Sequence, residues 1–180
     1  EPTKKNNRLS STALKTSTRA TPARQSYNHD EHGNMIFMPH LGQPTPNDPN
    51  MFWDYKDQLQ KIDLGGGGTA YYIYDASGQR TRKIIEDQNG NKQKERRYLG
   101  SYEIHRKYDA TGTIDLERKT LHVMDDEQRI ALIETRTQGN DGSLQQLIRF
   151  QLNNHLGSAS VELDQNAKII SYEEYFPYGS

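Results

Sequence analysis

The sequence has no cysteine, which excludes disulfides and thiolate chemistry and leaves the redox compartment open. It also has almost no net charge: 23 Lys and Arg against 24 Asp and Glu leave −1. That balance excludes bulk electrostatic binding to nucleic acid or to an acidic membrane surface. No apolar run approaches the roughly 20 residues that a membrane-spanning helix needs, and no secretory signal pattern is present. The chain opens on Glu1 rather than Met and closes on Phe176-Pro177-Tyr178-Gly179-Ser180, which reads as a fragment of a longer polypeptide. Apolar residues are scarce too. They make up 32%, and the 14 Gly raise this only to about 40%, against about 45–50% in ordinary globular chains. Such a deficit usually signals disorder. Yet there are 11 Tyr and many alternating runs, which signal strands. A sheet one layer thick reconciles the two, because its strands bury less than those of a sandwich.

What is present is a repeated hairpin. Tyr72-Ile73-Tyr74-Asp75-Ala76-Ser77-Gly78-Gln79-Arg80 reads as an aromatic strand, a tight turn and a returning strand. Asp75 can accept hydrogen bonds from the turn backbone, and Gly78 can take positive φ. Tyr27-Asn28-His29-Asp30-Glu31-His32-Gly33 has the same frame. Tyr108-Asp109-Ala110-Thr111-Gly112 is a third copy, and Leu163-Asp164-Gln165-Asn166-Ala167 a worn fourth. The four aspartates stand 45, 34 and 55 residues apart. A strict solenoid would keep one period, so the unit is a hairpin with variable insertions.

Residues 1–26 carry six Lys or Arg against Glu1. They read as a basic segment that is flexible or ends a preceding repeat. Pro44, Pro46 and Pro49 mark a loop, since proline denies a ladder its donor. Trp53 to Leu59 alternates and reads as a strand. Gly65 to Gly68 reads as a flexible joint, and Asn89-Gly90 as a two-residue hairpin loop. Leu116 to Glu134 has no single helical stripe. Leu121/Val123 and Ile130/Leu132 flank an acidic turn, so the segment reads as a hairpin. Further strands follow at 144–152, 159–163 and 168–175. The total is ten to fourteen short strands and no helix.

Candidate chemistry is thin. His29 and His32 flank Asp30, but a zinc site needs about four ligands and no second cluster exists. Asp125-Asp126-Glu127 lacks the spacing and Gly of a calcium loop. Gly157-Ser158-Ala159-Ser160 beside His155 lacks the second Gly of a nucleophile elbow. The four glycines lack the Lys-Ser/Thr of a phosphate cradle. The strand tyrosines suit cross-strand packing better than ligand stacking. No catalytic, metal or cofactor residue is expected, and the chain is not expected to be an enzyme. The residues expected to matter are structural: Tyr72, Tyr74, Asp75 and Gly78; Tyr108, Asp109 and Gly112; Leu156 and Gly157; Tyr175, Pro177 and Gly179.

The frame Tyr72, Tyr74, Asp75, Gly78 resembles the YD repeat of Rhs proteins. Asn154 to Ser160, Leu163-Asp164 and Tyr172 to Gly179 resemble the start of the Rhs repeat-associated core. Leu121 to Asp126 and Arg129 to Thr135 are similar to the C components of insecticidal Tc toxin complexes. The resemblance covers about residues 27–180. It divides the chain into the basic segment 1–26, YD-repeat hairpins at 27–152 and the start of the core at 153–180.

The resemblance implies an all-β fold, with YD-repeat hairpins forming part of a large curved, spiralling β-sheet shell. In the family a B and a C component build that shell, which encloses a C-terminal toxic effector, and a pore-forming A component delivers it. The family implies self-cleavage near an Asp-Pro-x-Gly motif. The only Asp-Pro here is Asp48-Pro49, followed by Asn50-Met51, so the cleaving carboxylates have no positions to map onto. The expectation is a wall segment of a secreted toxin carrier, with no membrane insertion of its own. The rivals are a cell-surface adhesion or glycan-binding module, and a hydrolase built around His155 and Ser158.

Overall fold

The computed structural model describes residues 8–14, 23–41, 48–126, 128–153 and 159–174. Two compact units divide the chain, Glu1–Asn91 and Lys92–Ser180. The boundary therefore falls inside the hairpin segment 27–152. Among the described residues there are fifteen strands and two single-turn 3-10 helices, one strand more than the upper expectation.

In the first unit, β1 (Ser11–Leu14) pairs antiparallel with β2 (Ala23–Ser26), so part of the basic segment is strand. β3 (Asn28–His29) pairs with β4 (Met35–Phe37). A meander follows: β5 (Met51–Trp53), β6 (Leu59–Asp63), β7 (Thr69–Tyr74) and β8 (Arg80–Glu86). Met51, Ile62, Ala70 and Ile85 stand opposite one another along the cross-strand register. Directly opposed side chains share a face, so these four form one apolar row.

Asn50 joins the small hairpin to the meander. Its side chain is fully buried. Its amide oxygen accepts from the Met38 N–H and its amide nitrogen donates to the Met38 carbonyl, both at 2.9 Å. Its own N–H donates to the Ile36 carbonyl at 2.9 Å, and its carbonyl accepts from Asp63 at 2.8 Å. Trp53 Nε1 donates to the Met35 carbonyl at 2.9 Å. Asn50→Leu would leave the Met38 groups unsatisfied, which costs about 1–3 kcal/mol. The expected result is earlier protease cleavage within residues 28–41 than elsewhere in the unit, read by mass spectrometry. Cleavage at unchanged rates there would count against the joint.

The sequence reading is corrected at three places in this unit. Trp53 to Leu59 is not one strand: β5 ends at Trp53, β6 begins at Leu59, and a turn lies between. The glycine run is not a loose joint. Gly65–Gly67 form a 3-10 turn, and Leu64 N–H donates to the Gly68 carbonyl at 2.8 Å, closing the β6–β7 hairpin. Asn89-Gly90 is not a two-residue loop, because Asp87 and Asn91 close a longer one.

In the second unit, seven strands run as an antiparallel meander: β9 (Lys92–Leu99), β10 (Tyr102–Tyr108), β11 (Ile114–Asp125), β12 (Gln128–Gln138), β13 (Gln146–Asn153), β14 (Ala159–Asp164) and β15 (Ile169–Tyr172). β11 and β12 are the hairpin expected at 116–134. The buried side chains of this unit include Leu116 and Ala131, but also Glu95, Glu117, Arg118 and Gln151. The buried charged groups are paired with opposite charges.

Candidate functional site

The recurring element is a five-residue turn, and its geometry repeats closely. In the copy at 75–79, Asp75 N–H donates to the Gln79 carbonyl at 2.9 Å and Gly78 N–H to the Asp75 carbonyl at 3.1 Å. Asp75 Oδ1 accepts from the N–H groups of Ser77 and Gln79, each at 2.9 Å, and from the Ser77 hydroxyl at 2.6 Å. Gly78 sits at φ +84°, where a side chain is strained, and a Cβ there would come 2.9 Å from Gln58 Nε2. This is a type I turn closed by a left-handed residue, a common three-residue hairpin loop. The flanking tyrosines serve the strand. Tyr72 is buried in β7, between the cations of Arg80 and Lys83, and Tyr74 donates its hydroxyl to the Leu59 carbonyl at 2.9 Å.

Asp109 does the same in the second unit, accepting from Thr111 N–H at 2.8 Å, Thr113 N–H at 3.0 Å and the Thr111 hydroxyl at 2.6 Å. Gly112 has φ +83°. Tyr108 donates to Glu95 at 2.6 Å. Asp30 and Asp164 cap the other two copies read from the sequence. Leu156, Gly157, Tyr175, Pro177 and Gly179 lie outside the described residues, as do His155 and Ser158.

Two copies escaped the sequence reading. Asp87 accepts from Asn89 and Asn91 N–H, each at 2.9 Å. Asp54 accepts from Lys56 N–H at 2.8 Å and Gln58 N–H at 2.9 Å. The Asp54 copy was hidden because Asp57 takes the left-handed position at φ +58°, where glycine was sought. Aspartate tolerates that region better than most residues. In five of the six copies the aspartate is followed three residues later by Gly or Asp, and in the sixth Ala167 takes the left-handed position at φ +62°.

Asp57 also ties two turns together. His32 Nδ1 and Asn34 Nδ2 each lie 2.7 Å from its Oδ1. His29 sits in β3, apart from that contact. Among the described residues no group of three or more His, Asp or Glu could hold a metal ion. None of the helices among them is long and apolar enough to cross a membrane.

Hydrogen bonds from Ser77 and the Gln79 backbone hold the Asp75 carboxyl below the usual carboxylate range, and Thr111 and Thr113 do so for Asp109. A lowered folded pKa means that the turn is fully stabilised above the unfolded value of about 3.9. The contribution is lost as pH falls through the lowered folded value. Asp75→Ala is therefore expected to lower the urea midpoint at pH 7, with the gap to the parent narrowing as pH falls below about 3.9. A gap independent of pH would show that the ionised carboxylate is not what closes the turn.

Charged side chains in the second unit form three linked systems. Glu95, 1% exposed, accepts from Arg97 Nε at 3.0 Å as well as from Tyr108. Arg106 Nη1 lies 3.7 Å from Glu95, and its Nε donates to Glu117 at 2.7 Å. Thr137 donates to the other Glu117 oxygen at 2.7 Å. Arg118 binds Asp141 through two nitrogens at 2.8 Å, and Glu134 lies 3.0 Å away. That grip holds the Asp141 carboxyl far below the usual range.

The third system crosses the whole unit, with one side chain from each strand. Arg96 donates to Glu103 at 2.8 Å, and His122 Nε2 lies 3.2 Å from Glu103. Arg129 reaches His122 Nδ1 at 3.2 Å and Gln151 at 2.5 Å. Gln151 donates to Glu162, which accepts from Ser171 at 3.2 Å. An arginine can only donate, so His122 Nδ1 accepts and its Nε2–H faces Glu103. These contacts run from strand to strand across the unit, and the buried His122 Nε2, though 3.2 Å from Glu103, makes no hydrogen bond of good geometry.

The fold and its turns define an antiparallel repeat sheet in which aspartate-capped hairpins add strands one after another. No family model matches the chain. It is similar in sequence to toxin subunit YenC1 of Yersinia entomophaga, 27% identical over 146 residues, which is 71% of this chain and 14% of that protein. Toxin subunit YenC2 of the same organism is 25% identical over 137 residues, 72% of this chain and 14% of that protein. The chain thus spans about a seventh of the length of these relatives. Its fold matches the crystal structure of TcdB2-TccC3 without hypervariable C-terminal region, with a TM-score of 0.64 at 22% identity, over 89% of this chain and 9% of that one. It also matches the Photorhabdus luminescens Tc holotoxin pore, with a TM-score of 0.62 at 20% identity, over 88% of this chain and 10% of that one. The resemblance drawn from the sequence, to an Rhs repeat protein like a Tc toxin C component, holds.

Proposed function

We propose that this chain is a wall segment of a secreted Tc-type toxin carrier. In this reading it builds a spiralling shell with the rest of its own polypeptide and a B-component-like chain. The shell encloses a C-terminal toxic effector, and a pore-forming A component delivers that effector. The segment performs no chemistry; its function is to hold and to separate. The observation that carries this reading is the fold match to TcdB2-TccC3 along nearly the whole chain. One-layer strands closed by aspartate turns support it, because such hairpins extend a wall without a central core. That neighbour was crystallised without a hypervariable C-terminal region, which fits a container whose contents differ while the wall does not.

The test uses the complete carrier, co-expressed with its B-like partner and its native effector. The effector should resist protease in the assembled complex and become sensitive when residues 92–174 are deleted. An effector cleaved equally fast in the intact complex would remove the basis for the container.

A further inference from the structure

Four basic residues stand side by side in the cross-strand register of the second unit. Arg96 of β9 faces His105 of β10, His105 faces Arg118 of β11, and Arg118 faces Arg136 of β12. Residues two apart along a strand share a face. Lys94 and Lys107, themselves directly opposed, therefore flank the row on the same side. Like charges directly opposite one another across strands are destabilising. Three carboxylates offset this. Glu103 accepts from Arg96 at 2.8 Å, Glu134 lies 3.0 Å from Arg118, and Asp141 binds both Arg118 and Arg136 at 2.8 Å. Each of the three is thus engaged by arginine. Arg118 is only 5% exposed, so water cannot replace those partners. His105 is the one member of the row whose charge changes near neutral pH.

We infer that this row is an acid-sensitive seam: a neutral His105 lets β9, β10 and β11 pack, and its protonation loosens them. The imidazolium faces Arg96 and Arg118 on the two neighbouring strands, with Lys107 two residues along its own. Neutralising it means drawing Glu134 off the buried Arg118, or drawing Glu103 off Arg96 and away from His122 Nε2, 3.2 Å from it. Burial first, then Arg96 and Lys107, hold the His105 ring below the ordinary histidine range, against an opposing pull from Glu134. A lowered folded value means that the contribution is complete above the unfolded value of about 6.5. It is lost as pH falls through the folded value. Carboxylates titrate only near about 4, so they do not account for a loss in that window.

His32 of the first unit has the opposite setting. Its Nδ1 lies 2.7 Å from Asp57, and that bond raises the ring above its ordinary range, with Asp30 and Glu31 adding to the pull. Arg8 lies across the same turn, donating to the Asp30 and Glu31 carbonyls. Protonation there strengthens the contact. The two units thus respond to acid with opposite signs. The seam does not depend on what the wall encloses.

Hydrogen exchange in the complete carrier, assembled with its partner chain, tests the seam. Exchange is read by mass spectrometry at about pH 7.5 and about pH 5.5, either side of the histidine range. Labelling times are scaled to the intrinsic pH dependence of amide exchange. Peptides from residues 94–120 should exchange roughly fivefold faster at the lower pH, the scale of two new like-charge pairs across strands. Peptides from residues 28–37 should keep or gain protection. His105→Gln is neutral at both pH values, so it should abolish the acid effect at 94–120. Lys107→Glu sets a carboxylate beside the ring and should shrink the effect, since an opposite charge favours the protonated form. Equal protection of 94–120 at both pH values in the parent would overturn the seam. Loosening that persists in His105→Gln would assign the response to another group, His122 first, and overturn the role of His105. An undiminished effect in Lys107→Glu would overturn its electrostatic cause.

Discussion

Glu95→Ala is expected to destabilise the second unit by about 3–5 kcal/mol, the usual cost of removing one partner from a buried charge cluster. Glu95 is 1% exposed and accepts from Arg97 and Tyr108, with Arg106 nearby. Removing it leaves two guanidinium groups and a hydroxyl around an empty space, with Glu117 and Tyr108 left beside Arg106. A domain is stable by only about 5–15 kcal/mol in total, so the loss is a large share. Glu95→Gln keeps the shape and one acceptor and should lose less. A second signature separates the electrostatic cause from lost packing. Burial, then the bond to Glu95, raises the Tyr108 hydroxyl above the ordinary phenol range. In Glu95→Ala its titration, followed by ultraviolet absorbance, should move back toward about 10. Unchanged urea midpoints, or an unmoved Tyr108, would contradict the role assigned to Glu95.

Gly68→Ala should be as damaging in the first unit. Gly68 has φ +85° and ψ −140°, a region used almost only by glycine. A Cβ there would stand 1.9 Å from the Glu86 carbonyl oxygen, which belongs to strand backbone and cannot swing aside. The conformation alone costs about 1–3 kcal/mol in any other residue, and the overlap adds to it. Gly66→Ala is the internal control, since its Cβ would meet only Gln88 Nε2, at 4.0 Å. Urea melts should show a large loss for the first and nearly none for the second. Equal losses would mean that the whole glycine run acts as one soft turn, as it reads in the sequence.

These two positions also show where the sequence was legible and where it was not. The Asp75 and Asp109 turns were readable because every group that makes them lies within five residues. The β11–β12 hairpin was readable from two alternating arms around an acidic turn. Gly68 was opaque because its constraint comes from Glu86, eighteen residues away and brought near by the pairing of Thr69 with Glu86. Asp54 was opaque for a local reason: its left-handed partner is Asp57 rather than Gly. Asn50 looked like one more polar residue of a proline-rich loop, until its amide was found closing on both Met38 backbone groups.

The sequence by itself determined strand and turn and limited the size of the core. Alternation has a period of two, a turn is closed by its own residues, and a shortage of apolar groups limits what can be buried. Only the tertiary structure decided which charges pair and which apolar groups meet. Glu95 and Arg106, or Phe150 and Leu163, meet through cross-strand register. Register is set by the hairpins and bulges between strands, and a slip of one residue would exchange the two faces.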